Sequence, residues 1–270
     1  MKIAVAGGDL RFAYLTRLLC LRGQDARALF MEDANLENVA FCNAQWAQTA
    51  DLVMLGWPAK FPLADRVPDI EGFLSACNGN VAFCGPNAYT GAMDRSKIVR
   101  DLWNCEEYLM ENAYLTAEGA LHSAMSAMRR SISGSVCLVV GYGRIGSQLA
   151  RLLRTMGAIV TVATRNPGKP TREGFRTVPT EALRNALSTC DAVFSTPPHL
   201  VLDATALESV GKEAIVMDLA SAPFGVDLQA AQRLGLHAWR EPGLPGRYCP
   251  ESAAESILNA LGEEVWNRET

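Results

Sequence analysis

The stretch VVGYGRIGS, Val139 to Ser147, spaces three glycines as Gly141-x-Gly143-x-x-Gly146 in the middle of a 270-residue chain. Such spacing arises by chance, so its meaning rests on what leads in and what leads out. Val136 to Val140 is a continuous apolar run, as expected of a central parallel strand. Ile145, Leu149, Leu152, Leu153 and Met156 then recur at helical spacing until Gly157, and IVTVAT follows as a second strand. Within this strand-turn-helix-strand unit Gly141 permits the tight turn. Gly143 lets backbone approach a pyrophosphate, and Gly146 lets helix and strand pack closely. The helix start offers free N–H groups and partial positive charge to phosphates. Gly141, Gly143, Arg144, Ile145 and Gly146 are therefore expected to bind a dinucleotide.

The residues after the second strand bear on which dinucleotide. An NAD site carries an Asp or Glu about 20 residues past the first glycine, where it accepts bonds from ribose hydroxyls. No acidic residue occurs between Gly141 and Arg172. The strand ends instead in Thr164-Arg165-Asn166, with Lys169 and Arg172 beyond, a cationic rim suited to a 2′-phosphate. NADP is expected over NAD, with Arg165 pairing with the phosphate; a solvated basic loop is the simpler account. Ser195-Thr196-Pro197-Pro198 and Asp218-Leu219-Ala220-Ser221 end two later strands, where ligands of open α/β sheets bind. Ser195, Thr196, Pro197, Asp218 and Ser221 are expected at the nicotinamide end, against the alternative of plain strand-to-helix turns.

Further out, KIAVAG, DARALF, DLVMLGW and NVAFCG alternate with helix-period segments over the first 110 residues or so. A second series runs through SVCLVVG, IVTVATR, DAVFST, AIVMDLA and LHAWR. Such alternation signals parallel sheets with helices on both faces. The fold class expected is α/β, with two doubly wound parallel-sheet domains: an N-terminal flavodoxin-like substrate domain over 1–115 and an NAD(P)-binding Rossmann domain over 116–249. Thr116 to Arg130, rich in Ala, Gly and Ser, reads as a connecting helix. Residues 250–270 form an amphipathic helix with Ala254, Ile257, Leu258, Leu261 and Val265 on one face, expected to return to the first domain.

Composition narrows the function classes. Apolar residues make up 49% and charged residues 20% of the chain, and no apolar run approaches the ~20 residues that span a bilayer. The start MKIAVAGG lacks a signal peptide's apolar core. A cytoplasmic protein without membrane association is expected. A net charge of −4 with no basic tract argues against nucleic acid as a partner. The eight cysteines include no C-x-x-C pair and read as reduced, buried thiols. The three histidines stand far apart, so no metal site is expected.

GGDLR (Gly7 to Arg11), ENAYLTAEG (Glu111 to Gly119), VVGYGRIG, STPP, DLAS and PGLPGRYCPESAAESIL (Pro242 to Leu258) together resemble the A-subunit family of dipicolinate synthase. The resemblance runs over essentially the whole chain in the same order. One departure is local: the last helix opens on Cys-Pro-Glu-Ser-Ala where the family carries a Pro-Lys-Thr-Ala-Gly type of sequence. The resemblance implies an NADP-dependent oxidoreductase that makes pyridine-2,6-dicarboxylate, the dipicolinic acid of endospores. Its substrate would be a dihydrodipicolinate-type cyclic dicarboxylate branching from the lysine pathway. A further implication is a flavoprotein-like B subunit for a partner. The implied fold is similar to that of D-2-hydroxyacid dehydrogenases and S-adenosylhomocysteine hydrolase. A homo-oligomer is expected.

In the matching motif Glu118 becomes the expected base, with first-turn charge at a helix start as the simpler account. His122, four residues on and on the same helical face, would share its proton or simply pack. Arg11, Asn112, Thr116 and Arg247, with Gly243, Leu244 and Pro245 presenting Arg247 on a turn, are expected to hold substrate carboxylates. Arg11 reads equally as solvated, and Asp9 as a helix N-cap. Two other readings remain: another NADP-linked 2-hydroxy-acid or imino-acid dehydrogenase, and a non-catalytic NADP-sensing protein.

Overall fold

A computed structural model describes residues 1–31, 39–56, 70–84, 95–168, 171, 173–262 and 265. The chain divides into two compact units, one of 1–112 with 245–270 and one of 113–244.

Unit 1 begins with β1 (Lys2–Ala6), α1 (Leu10–Leu21), β2 (Asp25–Leu29), α2 (Ala44–Gln48), β3 (Leu52–Leu55), α3 (Ile70–Ser75), β4 (Asn80–Phe83) and β5 (Ile98–Asp101). The strands pair in parallel in the order β2-β1-β3-β4-β5, the flavodoxin-like arrangement. Alternation along β1 explains why both faces are covered. Ile3 and Val5 enter one core cluster with Phe12, Leu15 and Leu19 of α1, while Ala4 and Ala6 enter another with Ala47, Phe73 and Leu74. α4 (Glu106–Ala127) follows and contributes to both units.

Unit 2 continues with β6 (Val136–Val140), α5 (Arg144–Thr155), β7 (Ile159–Thr164), β8 (Arg176–Pro179), α6 (Arg184–Leu187), β9 (Ala192–Ser195), α7 (Ala204–Leu207), β10 (Ile215–Asp218), α8 (Leu228–Arg233) and β11 (His237–Arg240). The order β11-β10-β9-β6-β7-β8 is that of the Rossmann sheet, with its switch point between β6 and β9. α9 (Leu244–Tyr248) and α10 (Pro250–Ala260) close the chain. Ala254, Ile257, Leu258, Leu261 and Val265 lie in the unit 1 cluster with the α1 side chains, and each fully buried Leu or Ile there contributes roughly 1.5–3 kcal/mol.

Four elements differ from the sequence expectation. α4 starts at Glu106, ten residues before the expected Thr116, because Tyr108, Ala113 and Leu115 supply an apolar face earlier in the chain. β5 and β8, with sequences IVRD and RTVP, were not expected as strands. The PGLPG segment, expected as a turn, runs into the short helix α9, whose Pro245 suits a first-turn position.

Candidate functional site

In unit 2 the β6–α5 junction is shaped by its glycines. Gly141 takes φ +91°, and its N–H donates to the Ala163 carbonyl of β7 at 2.8 Å. A Cβ on Gly141 would strike Thr196 Oγ1, and one on Gly146 would overlap the Gly141 carbonyl. A Cβ on Gly143 would meet nothing within 4 Å. Gly143 caps α5 without any side-chain cap bond, so the helix start offers its N–H groups to an outside acceptor. Two glycines therefore let protein pack on protein, and the third leaves the approach open. These residues fit a dinucleotide pyrophosphate.

The switch point is closed by β9. Thr196 donates through both its N–H and its Oγ1 to the Val140 carbonyl, each at 3.0 Å. Ser195 is wholly buried, and its Oγ has no hydrogen-bond partner among the described residues. Gly225 packs against that hydroxyl so closely that any side chain there would collide with it.

Asp218, expected at the nicotinamide end, has its carboxylate engaged by groups of the protein itself. At the end of β10 it is 0% exposed, and its carboxylate accepts from Ala220 N at 3.2 Å, Gly225 N at 3.3 Å and Arg240 Nε at 3.2 Å. A carboxylate buried that deeply needs a paired cation and donors, and these leave it turned into its own loop. Arg240 in turn lies 3.4 Å from the centroid of Phe224, which holds a left-handed φ of +72°. Asp218 thus fixes the Leu219–Gly225 loop on which Ser221 is exposed.

At the end of β7, Thr164 is half-buried while Arg165 and Asn166 are exposed. Lys169 and Arg172 lie outside the described residues. One residue beyond the span that lacks acids, Glu173 accepts a short hydrogen bond from Tyr142 Oη. Tyr142 also meets Phe175 edge-on at 6.3 Å. Arg154 lies 4.3 Å from the centroid of Phe175 and donates to the Glu173 carbonyl at 2.6 Å. Burial first, then the bond and charge of Glu173, push the Tyr142 phenol up to about 12. Neither Tyr142 nor Glu173 is evident from the glycine spacing, since both occupy positions that the fingerprint leaves free.

On α4, Glu118 and His122 are exposed one turn apart and Thr116 is buried. Ser123 donates to Glu241 Oε1 at 2.6 Å, and Trp239 Nε1 donates to the same oxygen at 2.9 Å. Glu241, at the carboxyl end of β11, is a hydrogen-bond-accepting carboxylate absent from the sequence expectation. Its ordinary context, Arg-Glu-Pro, gives no signal.

Unit 1 has its own glycine turn at its switch point. Gly7 and Gly8 take φ +68° and +101°, and a Cβ on Gly56 would overlap the Gly7 carbonyl. Asp9 caps α1 by accepting from Arg11 N. Its two oxygens also accept from Arg11 Nε at 2.7 Å and Nη2 at 2.8 Å. Arg11 Nη1 reaches Asn112 Oδ1 at 3.4 Å. Asp9 thus occupies the bidentate edge of Arg11, the residue expected to meet a substrate carboxylate. Burial lowers the guanidinium's pKa, but the bond and charge of Asp9 outweigh it and the net shift is upward. Beside this pair, burial pushes Tyr108 and Cys84 up to about 12, with Arg11 pulling each the other way. Gly246 of α9 sits where any Cβ would strike the Asp9 carboxylate. Pro245 is buried and Arg247 exposed; Gly243 and Leu244 fall in unit 2, Gly243 exposed and Leu244 buried.

Among the described residues no group of three or more His, Cys, Asp or Glu could hold a metal ion, and no helix is long and apolar enough to cross a membrane. None of the eight cysteines forms a disulfide.

Residues 97–230 match the family model described as D-isomer specific 2-hydroxyacid dehydrogenase, NAD binding domain. The dipicolinate synthase A-subunit of Bacillus subtilis is 32% identical over 97% of this chain and 95% of that protein. The chain belongs to the A-subunit family of dipicolinate synthase. The crystal structure of that Bacillus subtilis protein superposes with a TM-score of 0.79 at 26% identity, covering 98% of this chain and 96% of the other. A D-lactate dehydrogenase from Treponema pallidum shares the fold, with a TM-score of 0.64 at 14% identity over 97% of this chain and 95% of the other. As a member of the dipicolinate synthase family, the protein is an oxidoreductase of the dehydrogenase type, with a nicotinamide cofactor bound by its second unit.

Proposed function

We propose that the protein oxidises a dihydrodipicolinate-type cyclic dicarboxylate to pyridine-2,6-dicarboxylate, using NADP⁺ as acceptor. The observation that carries the reading is identity to the Bacillus dipicolinate synthase component across nearly the whole of both chains.

The two hydrogens lost leave as a hydride and a proton, and formation of the aromatic ring drives the step. When bound, the nicotinamide dinucleotide would supply the acceptor for that hydride. Gly141, Gly143, Arg144, Ile145 and Gly146 hold the pyrophosphate. Thr164, Arg165 and Asn166 receive the 2′-phosphate, Arg165 by its planar fork. Ser195, Thr196, Pro197 and Ser221 line the nicotinamide end, with Asp218 bracing the loop that carries Ser221. Glu118 takes the proton, with His122 one turn away to pass it on. Arg247, Thr116 and Asn112 hold the substrate carboxylates, and Asp9-Arg11 positions Asn112. Gly243, Leu244 and Pro245 lead into the helix that carries Arg247. The product ties the protein to endospore formation in the cytoplasm as a homo-oligomer, partnered by the flavoprotein-like B subunit of dipicolinate synthase.

NADPH formation from dihydrodipicolinate, measured at 340 nm alone and with a B subunit, tests the reaction. Tight NADP binding without reduction in either assay overturns it. Replacing Arg165 with Glu is expected to weaken NADP more than NAD by about tenfold, the worth of one charge-assisted pair. An unchanged preference removes Arg165 from the site. The match to the 2-hydroxyacid dehydrogenase model favours a second reading, oxidation of a D-2-hydroxy acid. Turnover of D-lactate-like substrates in place of dihydrodipicolinate would select it.

A further inference from the structure

Among the described residues, Glu173 is an acid bonded to the glycine turn, and it is restrained. Tyr142 stands between the glycine that makes the turn and the glycine that faces open space, and its hydroxyl binds the Glu173 carboxylate. Four further contacts hold the same segment down. Arg154 bonds the Glu173 carbonyl at 2.6 Å and stacks on Phe175, and the Phe175 N–H donates to Thr171 Oγ1 at 2.6 Å. The Tyr142 ring leans edge-on against Phe175. The segment is therefore anchored through both backbone and side chain, and the restraint on the carboxylate itself comes from the Tyr142 hydroxyl.

In dinucleotide folds a carboxylate beyond the second strand selects NAD by accepting from the ribose hydroxyls, and it repels a 2′-phosphate. We propose that Tyr142 is a specificity-determining positioning residue that holds the Glu173 carboxylate off the ribose, leaving the exposed Arg165 to select a 2′-phosphate. The inference rests on the NADP reading above and adds the device that enforces it. The phenol stays protonated, and so able to donate, throughout the physiological range, since burial and the neighbouring carboxylate hold it up to about 12.

The test is direct binding of NADPH and NADH to the full chain, followed by quenching of protein fluorescence, with thermal melts to verify folding. Tyr142→Phe keeps the ring on Phe175 and removes only the hydroxyl. It is expected to narrow the NADPH-over-NADH ratio about tenfold, the scale of one hydrogen bond to a charged group, chiefly by tightening NADH. Glu173→Gln is expected to widen the ratio by tightening NADPH, and the double variant to behave as Glu173→Gln alone. A ratio unmoved by Tyr142→Phe, or a shift that persists in the double variant, overturns the proposal. A wild type that prefers NADH overturns the NADP reading instead. In that case Tyr142 keeps its role only if its loss still tightens NADH through Glu173.

Discussion

The two strand-turn-helix junctions, Gly7 to Arg11 in unit 1 and Gly141 to Gly146 in unit 2, occupy the same place in their sheets and end up chemically opposite. Both lie at a switch point, and both begin on glycine with positive φ. In unit 2 the helix starts on Gly143 with no side-chain cap and open space where a Cβ would be. In unit 1 the corresponding position is filled by the chain itself. Asp9 supplies the anion that the helix start favours, and Arg11 folds back to neutralise it. A glycine turn at a switch point thus becomes an external anion site only if no internal carboxylate has already claimed the helix end.

The largest expected effect comes from reopening the filled junction. Asp9→Ala removes a helix cap, worth about 1 kcal/mol, and leaves Arg11, a residue only 7% exposed, without its bidentate partner. Stripping one member of a buried pair costs about 3–5 kcal/mol, and the partial exposure of Asp9 puts the expectation near the lower end, about 3 kcal/mol by urea unfolding. NADPH affinity should be untouched. A loss no larger than that of the cap alone would mean that the ion pair contributes nothing and that the two junctions differ less than their geometry suggests.

Next come two glycines of the open junction, which should separate cleanly. Gly146→Val forces methyl groups into the Gly141 carbonyl and is expected to cost about 1–3 kcal/mol, as overpacking does, with NADPH binding lost. Gly143→Ala meets nothing within the protein and takes a φ of −81° that any residue adopts. Its melting temperature should stay unchanged while NADPH affinity falls about tenfold. If Gly143→Ala leaves affinity intact, the pyrophosphate does not pass over this turn.

Much of this contrast is legible in the sequence because glycine spacing and apolar runs report backbone directly. The central strands KIAVA, VCLVV and AIVMD announce themselves through apolar runs, buried on both faces after the first residue. β5 and β8 do not, since they are edge strands, half-exposed along their length, and carry Arg, Asp and Thr where a central strand carries Val. The start of α4 is hidden for a different reason: Glu106 and Glu107 suit a first turn, but Tyr108, Leu109, Met110, Ala113, Tyr114 and Leu115 spread around the helix and mark no single stripe. At the site, positions fixed by backbone conformation were readable, and side-chain partners were not. Nothing in the order of residues says that Tyr142 reaches Glu173, that Arg240 crosses to Asp218, or that Arg11 turns back two positions to Asp9. Each pairing depends on rotamers chosen by tertiary packing.

The smallest expected effect probes where the open junction ends, at Ser195. Its hydroxyl is buried without a partner among the described residues, an arrangement that costs free energy in the protein alone. Replacing it with Ala deletes the stranded group and leaves a methyl against Gly225, so stability should hold steady or rise by about 1 kcal/mol. If that missing partner is supplied by the nicotinamide end of the cofactor, the same substitution weakens NADPH by about fivefold, the worth of one neutral hydrogen bond. The two measurements pull in opposite directions, which makes the result diagnostic. A protein that loses stability but keeps its affinity would place Ser195 with Asp9, as a group that the fold uses for itself.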